Sequence, residues 1–115
     1  MMCPTAGTTY TATFASNPGL MTVGSGVTVS PSGYQDNYGN DAIYIVQSSA
    51  GTYLAYSLSC THVGCQLNPS GSGWRCPCHG ATFSKTGQLT GGPGNGPLQS
   101  YAACADANGV TITLA

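Results

Sequence analysis

Both histidines and four of the six cysteines of this 115-residue chain lie in two short boxes, Cys60-Thr61-His62-Val63-Gly64-Cys65 and Cys76-Pro77-Cys78-His79-Gly80. A single buried cysteine is ordinarily a small apolar filler. Thiols and imidazoles gathered together are instead the donor set of a metal centre. A tetrahedral zinc site built from two cysteines and two histidines is one form of that chemistry. It leaves Cys65 and Cys78 without a role, and the Cys-x-His spacing of the first box is tighter than zinc-finger ligand spacing.

The frame around the boxes is read from apolar periodicity. Ala42–Ser48 and Thr52–Leu58 alternate across a turn at Ser49, Ala50 and Gly51, which predicts a β-hairpin. Leu98–Ala105 and Val110–Leu114 predict a second, joined through Asn108-Gly109, a strong short-range turn signal. Thr8–Phe14 and Gly26–Ser30 read as shorter strands interrupted by glycine, and Pro31–Asp41 as a connecting loop. No apolar pattern at helical spacing persists beyond a turn or two, so the fold class is all-β. Between the hairpins, Cys60 to about Gly96 is dense in Cys, His, Gly and Pro. It carries too little apolar pattern to fold alone, so cross-links or a metal are expected to hold it.

The two boxes closely resemble the two loops of the Rieske [2Fe-2S] iron-sulfur proteins. The resemblance implies that Cys60 and Cys76 bind one iron and His62 and His79 the other, with two sulfides bridging. It further implies that Cys65 and Cys78, at the family's non-ligand cysteines, pair in a disulfide that clamps the loops. Gly91–Leu98 is similar to the family's Gly/Pro-rich loop over the cluster's third side, and Gln66–Gly73 is expected to be a minimal turn. The implied architecture is a single domain over residues 1–115, of stacked antiparallel β-sheets. A small cluster-binding subdomain at about 58–97 is inserted into a basal subdomain of 1–57 plus 98–115.

Charge explains why such ligation suits electron transfer. Two thiolates on a core of formal charge +2 give a neutral oxidised site, whereas four leave it at −2, so an added electron is better tolerated. Histidine ligation accordingly raises potentials from about −400 mV to about −150 to +300 mV. The electron also favours protonation of His62 and His79, coupling reduction to proton uptake. In relatives that oxidise quinols the second-box histidine makes the contact, which assigns His79 as the candidate quinol contact. High-potential relatives place a serine directly after the second-box glycine and a tyrosine two positions later, both donating to sulfur. Here those positions are Ala81 and Phe83. Unless Thr82 or Ser84 reaches the cluster instead, the expected potential is about −100 to +150 mV.

Cys3 and Cys104 remain, in the first and penultimate strand regions, and are expected to form a second disulfide. Two disulfides point to an extracytoplasmic setting, the periplasm or the outer face of a bacterial inner membrane. Formal charge is confined to Arg75, Lys85, Asp36, Asp41 and Asp106, which excludes a basic nucleic-acid footprint. No apolar run approaches the roughly 20 residues of a membrane span. No histidine is left over for the mononuclear iron of an oxygenase, and no Cys-x-x-Cys-His haem attachment is present. A ferredoxin serving a ring oxygenase is disfavoured because such relatives usually lack the Cys65/Cys78 pair. The expectation is therefore a one-electron carrier and not an enzyme in itself. Its donor would be a quinol or another low-potential centre, and its redox partner a cytochrome or an oxidoreductase subunit.

Overall fold

The computed structural model describes residues 8–61, 64–94 and 96–114. In chain order its strands are β1 (Thr9–Thr13), β2 (Gly26–Val29), β3 (Ile43–Ser49), β4 (Thr52–Ser57), β5 (Asn68–Ser70), β6 (Gly73–Arg75), β7 (Thr82–Phe83), β8 (Leu89–Gly91), β9 (Ser100–Ala105) and β10 (Gly109–Thr113). They build a six-stranded sheet in the order β1-β10-β9-β4-β3-β2 and a four-stranded sheet in the order β5-β6-β7-β8. Every pairing is antiparallel.

The β3–β4 hairpin is the hinge of the architecture because both of its faces are covered. Successive side chains of a strand point to opposite faces. Ile43, Ile45 and Ala55 enter one core with Ala12, Leu20, Val29, Tyr101, Val110 and Ile112. Tyr44, Val46, Tyr56 and Leu58 enter the other, where they meet Leu67, Trp74, Ala81, Phe83, Leu98, Cys60 and Cys76. The Cys/His-rich stretch therefore does have a hydrophobic core, contrary to the sequence expectation. It borrows half of it from the back of β3 and β4.

Polar groups lock this second interface. Tyr56 donates its hydroxyl to the Lys85 carbonyl at 2.7 Å and accepts the Trp74 indole N–H at 2.9 Å. The Lys85 ammonium donates to the Tyr44 hydroxyl at 3.1 Å and lies over the rings of Tyr44 and Trp74, 4.9 and 5.5 Å from their centroids, within cation–π range. On the basal side, Tyr34 and Tyr101 share a hydroxyl–hydroxyl bond of 2.6 Å.

Burial pushes the Tyr56 phenol up to about 12 from 10.0, and burial with the Tyr34 hydrogen bond raises Tyr101 as well. Both phenols bind their protons more tightly folded than unfolded. Their stabilisation is complete below about pH 10; that of Tyr56 disappears as the pH climbs through about 12, and that of Tyr101 only at higher pH still. We expect tyrosinate absorbance of the folded protein at about pH 11 to lack Tyr56 and Tyr101. Their signal should emerge together with loss of the β-sheet circular dichroism. Full tyrosine ionisation before any unfolding would contradict the packing described here.

Two local features were not anticipated. Pro18–Met21 forms a 3₁₀ turn with proline at its start. Its Leu20 is buried, and the Leu20 carbonyl accepts the Gln47 amide and the Tyr53 hydroxyl. The segment expected to be a bare turn between the boxes instead contains β5, paired to β6 around a tight reversal at Gly71. Among the described residues, no helix is long and apolar enough to cross a membrane.

Candidate metal centre

The described residues of the two boxes make matching backbone hydrogen bonds. In the first, the Cys60 N–H donates to the Cys65 carbonyl at 2.9 Å and the Gly64 N–H donates back to the Cys60 carbonyl at 2.9 Å. In the second, the Cys76 N–H donates to the Ala81 carbonyl at 2.7 Å and the Gly80 N–H to the Cys76 carbonyl at 3.0 Å. Each is a closed knuckle whose reversal falls four residues after its leading cysteine. Gly64 and Gly80 stand there at φ of 80° and 79°, left-handed backbone that glycine adopts without a Cβ penalty.

The knuckles are presented differently. The second lies between β6 and β7, whose Arg75 and Thr82 are paired, so the small sheet grips both of its ends. The first leaves β4 and is held by an isolated bridge between Ser59 and Gln66, with the Leu67 N–H on the Leu58 carbonyl at 2.8 Å. A disulfide between Cys65 and Cys78 joins the two, with Cα atoms 6.4 Å apart. The third loop closes on both. The Thr61 hydroxyl donates to the Gly96 carbonyl at 3.0 Å, and a Cβ on Gly92 would come within 2.7 Å of the Ala81 Cα.

Cys60 and Cys76 stand outside any disulfide and have no exposed surface. Burial raises the Cys76 thiol, but backbone N–H donors from His79 and Cys78, the Cys60 thiol and the charge of Arg75 together hold it below its ordinary value. The sulfurs of Cys65, Cys76 and Cys78 all lie within 4.8 Å of one another. Two buried thiols in contact, with amide donors favouring the thiolate, have the chemistry of a metal-ligand pair. They fit the thiolate half of a Cys₂His₂ diiron site. His79 is exposed at the tip of the second knuckle. His62 lies outside the described residues. Cys104 is disulfide-bonded, and Cys3, its expected partner, also lies outside them.

Ala81 and Phe83 are buried and offer no hydroxyl. Their polar neighbours are engaged elsewhere. Thr82 accepts the Thr90 hydroxyl at 2.9 Å, while Ser84 pairs with the Thr86 hydroxyl at 2.9 Å and accepts the Thr86 and Gln88 N–H groups.

The clamp has a measurable weight. Closing a loop with a sequence separation of 13 stabilises by about 3 kcal/mol in the chain-entropy model. Replacing Cys65 and Cys78 together with alanine should lower unfolding stability by about that amount in a denaturant titration. An unchanged midpoint would show that the knuckles hold without it.

Sequence reasoning overlooked Asp36 and Asn40, which sit in the stretch read as a connecting loop. Asp36 is buried, and Asn40 bonds to both flanks of the first knuckle. Asx-turn chemistry at Asp36 was legible as a turn, but nothing in the local pattern says that the turn faces inward.

Comparison with known proteins agrees with this geometry. A family model described as Rieske [2Fe-2S] domain matches residues 24–102. The cytochrome b6-f complex iron-sulfur subunit of Chlorobaculum thiosulfatiphilum is 36% identical over 78 residues, which is 66% of this chain and 43% of that protein. The chain thus spans less than half the length of this relative. The plasma membrane Rieske protein PetC3 from Synechocystis PCC 6803 superimposes with a TM-score of 0.65 at 24% identity, over 90% of this chain and 98% of that one. The quaternary ammonium Rieske monooxygenase CntA gives 0.67 at 18% identity, over 96% of this chain and 32% of that one. These two structures share the fold.

Proposed function

Because the chain belongs to the Rieske [2Fe-2S] domain family and is a carrier of that cluster type, we propose that it passes single electrons from a quinol or another low-potential donor to a cytochrome-type acceptor. The observation that carries the reading is the pair of buried cysteines, neither in a disulfide, held between two disulfide-clamped knuckles. When bound, the cluster supplies a reversible one-electron couple. In this reading Cys60 and Cys76 hold the first iron as thiolates and His62 and His79 hold the second. The segment of about 58–97 acts as the cluster-binding subdomain.

Each part of the site has a task. Leu58, Leu67, Leu98 and Phe83 share one buried cluster with the thiols, a dry core that keeps water from them. Exposed His79 presents its ring at the tip, where it can take or release a proton at its outer nitrogen and contact a quinol hydroxyl. The disulfide favours an electron-transfer subunit, like the iron-sulfur subunit of a cytochrome complex, over an oxygenase ferredoxin. It also supports an extracytoplasmic setting. Missing hydroxyl donors at Ala81 and Phe83 favour a potential of about −100 to +150 mV.

An anaerobic redox titration followed by EPR at several pH values tests the proposal. The expected result is a one-electron wave in that window whose midpoint falls as pH rises, by up to about 59 mV per unit for one proton per electron. A midpoint above about +250 mV would remove the low-potential reading, since it lies near the top of the family's range. A pH-independent midpoint would remove the coupling to histidine protonation.

A further inference from the structure

We propose that the turn Asp36–Asn40 is a positioning latch for the first knuckle, with Asn40 as its bolt. The inference rests on the ligand assignment given above. The Asn40 side-chain amide donates to the Ser59 hydroxyl at 2.8 Å and to the Gly64 carbonyl at 2.7 Å. One nitrogen thus spans the knuckle from the residue before Cys60 to the glycine at its reversal.

The turn that carries Asn40 is itself tied down. The Asp36 carboxylate is buried, 8% exposed. One of its oxygens accepts the N–H groups of Tyr38 at 2.8 Å and Asn40 at 3.0 Å, and the other accepts the Ser59 hydroxyl. The Asp36 N–H closes the loop on the Asn40 carbonyl at 2.8 Å. Tyr38 covers the reversal so closely that a Cβ on Gly64 would meet its side-chain carbons at 2.5 to 2.9 Å. A buried carboxylate is costly unless its oxygens are satisfied. Here they are satisfied by the turn and by the knuckle it holds.

The asymmetry between the knuckles explains the need. Paired strands grip both ends of the second, whereas no named strand pair flanks the first: its ends meet through one isolated bridge and the Leu67–Leu58 backbone bond, with Thr61 tied to the third loop and the disulfide shared by both knuckles. The latch supplies from a distant loop what the small sheet supplies to the other side. Groups that orient metal ligands commonly change metal retention by about 10- to 100-fold when removed. Asn40 is a positioning residue in this sense, acting through Ser59 and Gly64.

The test uses full-length, cluster-loaded Asn40→Ala protein, with Asn37→Ala in the same turn as control. Three quantities are read: iron release to a chelator, backbone hydrogen exchange, and the g-values of the reduced-state EPR signal. The latch predicts about 10- to 100-fold faster iron release, faster exchange confined to residues 58–67, and shifted g-values, with Asn37→Ala behaving as wild type. Unchanged g-values and iron release would overturn it, as would exchange rising equally in β9 and β10, the mark of general destabilisation. Should Asn40→Ala fail to accumulate, Ser59→Ala carries the same expectations. Absence of an iron-sulfur signal from the wild-type protein would sink the ligand assignment instead, and the local exchange contrast would still decide the latch.

Discussion

Replacing Cys76 with serine is expected to yield a folded but colourless protein. The Cys76 sulfur sits in the second knuckle with two amide donors and the Cys60 thiol around it, conditions that favour the thiolate a metal requires. A serine hydroxyl keeps its proton at neutral pH and cannot replace that charge. Visible absorbance and acid-labile sulfide should fall to near zero. The basal sheet should survive, because its core of Ile43, Ile45, Val110 and Ile112 contains neither Cys60 nor Cys76. Far-ultraviolet circular dichroism would therefore retain its β signature. Ser84→Ala, which removes a hydroxyl engaged in its own turn, should keep full colour. A Cys76→Ser protein with normal sulfide content would show that Cys76 is not a ligand.

Restoring the two absent hydroxyls should raise the potential. Ala81→Ser and Phe83→Tyr each place a donor at a buried position beside the second knuckle. A hydrogen bond to an electron-rich sulfur strengthens on reduction. At about 1 to 3 kcal/mol of differential stabilisation, each is equivalent to about 40 to 130 mV for one electron, using about 59 mV per tenfold change. The double variant is then expected about 80 to 260 mV above wild type. Some loss of stability should accompany it if either hydroxyl stays unpaired, since burying one costs about 1 to 3 kcal/mol. A midpoint that stays at the wild-type value in the double variant, with EPR intact, would contradict the assignment of these positions as the missing donors.

What the sequence made legible follows from the physics of its signals. The β3–β4 hairpin was readable because Ile43, Tyr44, Ile45 and Val46 alternate over several residues, and because turn chemistry separates them from β4. The β9–β10 turn was readable from Asn108-Gly109, where the Asp106 carboxylate accepts the Asn108 N–H at 2.8 Å. The small sheet was not readable. Its strands are two or three residues long, too short to display a period, and their pairing depends on the knuckle between β6 and β7.

The same limit hid half of the second core. Trp74 and Phe83 stand alone in polar surroundings, and only the back of β3 and β4 turns them inward. Box residues were legible for the opposite reason, since Cys and His at close spacing carry chemistry independent of fold. The partners that brace them were not. Asn40 and Asp36 are ordinary loop residues until tertiary structure places them against Ser59 and Gly64.

The central claim is that two thiolates and two imidazoles share the diiron core, with nitrogen alone from the protein on the second iron. Pulsed EPR of reduced protein carrying ¹⁵N-labelled histidine tests it most directly. The account predicts two strongly coupled imidazole nitrogens, one from His62 and one from His79, the second disappearing in a His79→Cys variant. A reduced protein whose signal shows no histidine nitrogen coupling, or a colourless one containing zinc, would contradict it.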